Sequence, residues 1–353
     1  MRIKQLREKM QENGLESLMI TNLYNLRYIT GFTGTSGAAV IGLDEKYLIT
    51  DSRYIEQAKI QSGHFTIIQQ TGDIFNEIAR VVEELGVENI AFEETLSYAE
   101  YIRLEEAISL PTDVFSVPDF IGEIRQIKEV AEIETVKRAC EISDKAFEYI
   151  LGKIKPDVTE IELANELDFY MRSLGATSVS FDTIVASGVR SALPHGVASE
   201  KKLAMNELIT FDFGCYYNGY VSDMTRTVAL GNVDDELVKI YNIVLEANKR
   251  VIDGTKAGVS VADYDKLARD YITEKGYGKY FGHGLGHGIG LEIHEGPIIF
   301  QKIDDVLKEN QLITDEPGIY LAGRGGVRIE DDLLVTKDGC EILTKSPKEL
   351  IVL

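Results

Sequence analysis

Basic residues are scarce in this chain of 353 residues: 37 Lys and Arg stand against 58 Asp and Glu, for a net charge of −21. A surface of that sign repels phosphate backbones and anionic lipid heads, which excludes nucleic acid and membranes as expected partners. A solvated acidic face is the plain reading of the charge. Cysteine is scarce too. Cys140, Cys215 and Cys340 are widely spaced, odd in number, and outside any CxxC pair, so a disulfide framework is not expected and each reads as buried filler. No apolar run approaches a membrane span, and Met1 to Met10 mixes Arg, Lys and Glu with isolated apolar residues, unlike the apolar core of a secretory signal. The expected compartment is the cytoplasm.

What is present is enough chain for two domains. Helical periodicity from Ile3 to Asn13, Tyr54 to Ile60, Ile74 to Leu85 and Tyr98 to Ala107 alternates with extended runs at Ser17–Thr21, Ala38–Ile41, Tyr47–Thr50 and Ile90–Phe92. That alternation predicts an α/β domain. The stretch from Leu110-Pro111-Thr112 to Val117-Pro118-Asp119 holds two of only seven prolines and precedes a long charged helix, roughly Lys128 to Lys153. The boundary is therefore placed near Ile121, giving domains 1–122 and 123–353. Beyond it, two helices and then glycine-punctuated strands and hairpins predict an α+β domain.

Three clusters carry chemistry. Leu208 to Gly214 and Tyr220 to Ala229 flank Asn218-Gly219, a strong hairpin signal. A two-residue loop there sets Asp212 opposite Thr225 and Asp223 opposite Gly214, so both carboxylates share a face as diagonal neighbours within roughly 7 to 8 Å. A lone strand Asp usually faces solvent; a pair at this spacing repels unless a cation lies between. The second cluster, Gly282 to His294, sets His283, His287 and His294 among five glycines. Glycine at that density argues against a helix, and three of the chain's five histidines in twelve residues favour ligation or proton transfer over a bare loop. The third joins Thr314-Asp315-Glu316-Pro317-Gly318-Ile319-Tyr320 to Val327-Arg328-Ile329-Glu330-Asp331-Asp332. Period two sets Arg328 and Glu330 on one strand face, where a surface ion pair is the plain alternative. Asp212, Asp223, His287, Glu316 and Glu330 together supply four carboxylates and an imidazole, a set whose charge balances two divalent cations.

These segments, with Leu193-Pro194-His195-Gly196 and Ser222-Asp223-Met224-Thr225-Arg226, occur in an order that resembles the proline-specific branch of the pita-bread metallopeptidases, from about Ile124 onward. The first half is similar to the creatinase-type N-terminal domain, chiefly through Asn25 to Gly34 and Thr50 to Tyr54. The fold implied is an α/β creatinase-like domain followed by an α+β pita-bread domain. The resemblance implies metal ligands Asp212, Asp223, His287, Glu316 and Glu330, with Asp223 and Glu330 bridging two ions, Mn²⁺ first and Co²⁺, Zn²⁺ or Fe²⁺ as alternatives. It makes His195, His294 and Glu316 catalytic, with His195, His283 and His294 contacting substrate and Arg328 holding the carboxylates. Asp315 departs from the aliphatic residue expected there. The activity implied is hydrolysis, by a metal-bridged hydroxide, of the bond between an N-terminal residue and a following proline. The substrates are then peptides with proline second, and a homodimer is implied. The Gly31–Gly37 loop is more similar to aminopeptidase P than to Xaa-Pro dipeptidase, the alternative; a non-catalytic binding protein is the more distant one. A methionine aminopeptidase lacks so large a first domain, and a creatine-type amidinohydrolase lacks the ligand set.

Overall fold

The structure is a computed structural model that describes residues 1–109 and 111–353. Leu110, at the start of the proline-containing stretch, lies outside the described residues. The chain divides into two compact units, Met1–Arg125 and Gln126–Leu353.

The first unit is built on six strands: β1 (Ser17–Ile20), β2 (Ala38–Gly42), β3 (Lys46–Thr50), β4 (Thr66–Gln69), β5 (Asn89–Glu93) and β6 (Asp113–Val117). Their order in the sheet is β4-β3-β2-β1-β5-β6. β1 and β2 are apolar and wholly buried, as central strands covered on both faces must be. The helices are α1 (Arg2–Glu12), α2 (Leu23–Thr30), α3 (Ile55–Gln61), α4 (Ile74–Leu85), α5 (Tyr98–Ala107) and α6 (Phe120–Arg125). Three of these starts are capped by side chains, at Asn22, Asp73 and Ser97. The Asn22 side chain accepts from the Tyr24 and Asn25 amides, and Ser97 with Glu100 forms a reciprocal cap on α5. One core cluster packs Phe75, Ile78 and Val82 of α4 onto Met19, Val40, Ile49 and Phe92 of the sheet. The stretch between the two prolines is not a bare linker: it forms β6, paired parallel to β5. Its side chains are mostly exposed, which is why it carries no buried-strand signal.

The second unit opens with α7 (Val130–Leu151) and α8 (Glu160–Ser173), both started by capping boxes. Short strands β7 (Ser178–Val179) and β8 (Ile184–Ser187) lead to the hairpin strands β9 (Glu207–Phe213), β10 (Cys215–Tyr217), β11 (Tyr220–Val221) and β12 (Met224–Leu230). Asn218 and Gly219 both have positive φ, 48° and 82°, the backbone of a tight hairpin turn. The register is the one the turn dictates, with Thr225 opposite Asp212. Helices α9 (Asp235–Gly254) and α10 (Val261–Glu274) follow, then β13 (Gly286–Gly288), β14 (Glu295–Ile299), β15 (Leu312–Asp315), β16 (Gly318–Leu321), β17 (Gly325–Arg328), β18 (Asp331–Val335) and β19 (Cys340–Ile342). Two sheets matter for the site: β12-β9-β8 and β14-β13-β15-β18-β19. α7 and α8 share a core with β9 and β12, and α9 and α10 share one with β15, β17 and β18. Cys140 and Cys215 are buried, whereas Cys340 is only partly so. Among the described residues no helix is long and apolar enough to cross a membrane.

Candidate metal centre

The glycines of the His-rich segment are there for approach distance. A Cβ on Gly286 would lie 2.3 Å from the Thr314 carbonyl oxygen, and one on Gly288 would lie 2.0 Å from that of Gly296. Only a chain without side chains there runs between β14 and β15 closely enough to deliver His287. From β9 comes Asp212, from the residue before β12 comes Asp223, from the corner between β15 and β16 comes Glu316, and from the link between β17 and β18 comes Glu330. All of them, with His195, His283, His287, His294 and Arg328, line one cavity of about 510 Å³. All eight of the residues read from sequence as metal-binding or substrate-contacting thus meet in one place, with Arg328 beside them. His195 and His294 are exposed at that cavity, whereas Asp212, Asp223, Arg328 and Glu330 are buried.

Potential ligand atoms of Asp223, His287 and Glu330 all lie within 4.8 Å of one another. The His287 ring donates from Nδ1 to the Gly288 carbonyl at 3.1 Å, so its Nε2 carries a bare lone pair. That lone pair faces Glu316 Oε1 at 3.6 Å and Asp223 Oδ2 at 3.7 Å, an arrangement that is repulsive unless a cation or a proton lies among the three. Burial pushes the His287 imidazole down to about 4, so the ring does not solve the problem by protonating. Burial, reinforced by Asp212, Asp332 and Glu316, drives the Asp223 carboxyl well up, and burial with Asp223 does the same to Glu330. Glu316 is pushed up to about 8 by burial and by Asp212, against the pull of Arg328. Asp212 Oδ1 and Asp223 Oδ1 are buried with no hydrogen-bond partner. Orphaned carboxylate oxygens beside a bare imidazole nitrogen, at one point in a cavity, fit a divalent cation site.

Arg328 is bound on all sides. It donates from Nη2 to Asp212 Oδ2 at 2.5 Å, from Nε to Thr225 Oγ1 at 3.0 Å, and from Nη1 to the Tyr320 hydroxyl at 2.8 Å and the Pro194 carbonyl at 3.2 Å. Thr225 in turn donates to Glu330 Oε2 at 2.6 Å. One guanidinium thereby orients two of the carboxylates. Thr225 and Tyr320 were given no role by sequence reasoning. Thr225 was legible as the register partner of Asp212, but its hydroxyl contact to Glu330 joins residues 105 apart. Tyr320 takes its place between Arg328 and His283 Nε2, 2.9 Å away. His283 donates from Nδ1 to the Gly284 carbonyl at 2.8 Å, so its Nε2 accepts the tyrosine proton, and burial holds the ring at about 4.

Buried carboxylates beside a bare imidazole nitrogen, in a cavity that exposed histidines also line, fit the class of metal-dependent hydrolases. The chain belongs to metallopeptidase family M24, whose model matches residues 134–337, and a Creatinase/Prolidase N-terminal domain matches residues 2–127. It is 51% identical to the solved Xaa-Pro dipeptidase from Bacillus anthracis, covering 100% of this chain and 99% of that one with a TM-score of 0.98. The X-Pro aminopeptidase structure from Thermotoga maritima is 42% identical, over 96% and 98% of the two chains, with a TM-score of 0.90. The Xaa-Pro dipeptidase of Pyrococcus furiosus is 41% identical over 99% of each chain. The architecture is accordingly a creatinase-type α/β domain followed by an α+β pita-bread domain.

Proposed function

We propose that this chain hydrolyses the bond between an N-terminal residue and a following proline, with dipeptides as its principal substrates. The observation that carries the reading is the convergence of Asp212, Asp223, His287, Glu316 and Glu330 on one cavity with unpartnered carboxylate oxygens. These five would hold two divalent ions, Mn²⁺ first. Ions so held supply Lewis acidity toward a carbonyl oxygen and lower the pKa of water. The remaining work belongs to side chains. Glu316, which lines the cavity among the proposed ligands, is suited to take the proton of the nucleophile and release it to the departing proline nitrogen. His195 and His294, exposed at the cavity, are placed to donate hydrogen bonds to substrate oxygens. Arg328 stays a positioning group, because its nitrogens are already committed. A cytoplasmic homodimer completes the proposal.

The preference for dipeptides rests on the two Xaa-Pro dipeptidases among the relatives named above and moves the balance away from the open-ended aminopeptidase expected from the Gly31–Gly37 loop. The aminopeptidase reading keeps one observation in its favour. Among the described residues lining the cavity, Arg328 is the only guanidinium and no lysine appears, so recognition of a dipeptide carboxylate falls to His195 and His294. Rates on Xaa-Pro, Xaa-Pro-Yaa and longer peptides, with N-acetylated controls, decide between the two. Hydrolysis confined to dipeptides supports the proposal, and efficient cleavage of longer unblocked peptides moves the assignment to an aminopeptidase. No cleavage of any X–Pro bond returns the binding-protein alternative.

A further inference from the structure

Behind the cavity lies a second acidic pair that the proposed chemistry does not use. Asp315 and Asp331 face one another across β15 and β18, and both are fully buried. Each is the chain neighbour of a proposed ligand, Glu316 or Glu330. A buried carboxyl directly opposite another is an unfavourable strand pair, and Asp315 Oδ1 finds no hydrogen-bond partner, so the register here needs an added restraint. It is supplied from three other segments. Asp331 Oδ1 accepts from Arg226 Nη2 at 2.8 Å and from Thr344 Oγ1 at 2.9 Å, while Oδ2 accepts from Lys348 Nζ at 2.7 Å and from Asn248 Nδ2 at 3.1 Å. The same Asn248 nitrogen donates to Asp315 Oδ2 at 3.0 Å, and Asn248 Oδ1 accepts from Lys348 Nζ at 2.9 Å. One amide thus spans both strand ends, and one ammonium fixes both that amide and Asp331.

Lys348 is held in turn. Its carbonyl accepts from the Tyr241 hydroxyl at 2.7 Å, and the nearby Ser346 carbonyl accepts from Arg226 Nη2 at 2.9 Å. Arg226 also donates from Nη1 to the Glu330 carbonyl at 2.5 Å. Neither Lys348 nor Asn248 lines the cavity. We propose that Lys348 and Asn248 are positioning residues for the metal centre, setting the spacing of the strand ends from which Glu316 and Glu330 reach the ions. Resting on the metal-centre reading, this adds residues that neither the sequence motifs nor the cavity lining picks out. Ligand geometry of this kind has to be held within about 0.5 Å, and partners outside the ligand set are known to move metal affinity.

The test titrates the full chain, freed of metal, with Co²⁺ and follows its visible absorption. Lys348→Met keeps most of the side-chain length without the charge. It should bind Co²⁺ about tenfold more weakly, with shifted bands, and Lys348→Arg should recover part of the affinity. Phe147→Leu, in the apolar core formed with α8, controls for a general loss of stability and should leave affinity and bands unchanged. A Lys348→Met protein that melts lower yet binds Co²⁺ with wild-type affinity and spectrum would overturn the proposal. Should that variant not fold, Asn248→Ser gives the same readout, and unchanged binding in it overturns the proposal equally. A wild-type chain that binds no Co²⁺ brings down the metal-centre reading itself, a result distinct from a failure of the variants.

Discussion

Two buried acidic groups lie side by side in the second unit, and they are balanced in opposite ways. Around Asp331 every carboxylate oxygen meets donors from this chain, two of them cationic. Burial alone would raise that carboxyl, but Arg226 and Lys348 hold it at about 2. Around Asp223, Glu316 and Glu330 the guanidinium of Arg328, the one that lines the cavity among the described residues, is spent on Asp212, Thr225, Tyr320 and Pro194, and the carboxyls are pushed up. Asp331 is neutralised from within the chain and serves as structure, while Asp315 opposite it keeps one unpartnered oxygen. The second group has left its countercharge to come from outside, which is what separates a binding site from a buried ion pair.

The largest effect is expected where the countercharge comes from outside. Asp223→Ala should empty the site and lower turnover by several orders of magnitude while leaving the metal-free protein as stable as wild type or more so, because one like charge has gone. Elemental analysis and melting of the same samples check both halves. The mirror experiment is Asp331→Asn, which strands two cations: it should cost about 3–5 kcal/mol of folding stability, read by urea denaturation. Its effect on metal affinity should be far smaller than that of Asp223→Ala. Equal loss of metal in both variants would erase the distinction between the two groups.

Smaller effects sharpen the contrast. His294→Ala should reduce turnover by about 10²-fold with metal content unchanged, since its ring sits 4.4 Å from that of His287 but is exposed at the cavity. Loss of metal in that variant would make it a ligand. The pH dependence has a sign for each group. A raised carboxyl gives stability that is full below its unfolded value, 4.5 for Glu316, and is lost as pH rises through about 8. Metal-free protein should therefore lose stability from about pH 5 to 8, and added Mn²⁺ should remove most of that slope. Asp331, held down, acts the other way: its contribution is present above 3.8 and fades as pH falls through about 2. A melting temperature of the metal-free protein that does not fall between pH 5 and 8 would contradict the assignment.

Most of the site was legible because its residues are marked by local chemistry. The Asn218-Gly219 turn fixes a register, and that register alone places Asp212 against Thr225. Glycines flanking His287 read as a non-helical segment, and it is a strand whose neighbours leave no room for a Cβ. Helices α4 and α5 were bounded by their periodicity. What escaped has the opposite character. α2 spans eight residues, Leu23–Thr30, too few turns for a period to stand out, and β6 is exposed along most of its length. Thr225, Tyr320, Asn248 and Lys348 act through contacts between residues far apart in sequence, and a hydroxyl or amide in an ordinary strand or helix carries no local mark of such a partner.

The central claim is that the Asp223, Glu316 and Glu330 group is completed by divalent metal and does its work only then. The most direct measurement is the rate of Xaa-Pro dipeptide hydrolysis by protein whose metal content has been reduced to background by chelation and verified by elemental analysis, before and after Mn²⁺ is returned. The expected result is no detectable hydrolysis in the stripped protein, recovery on addition of Mn²⁺, and about two ions bound per chain at full activity. Full activity in the stripped protein would contradict the account.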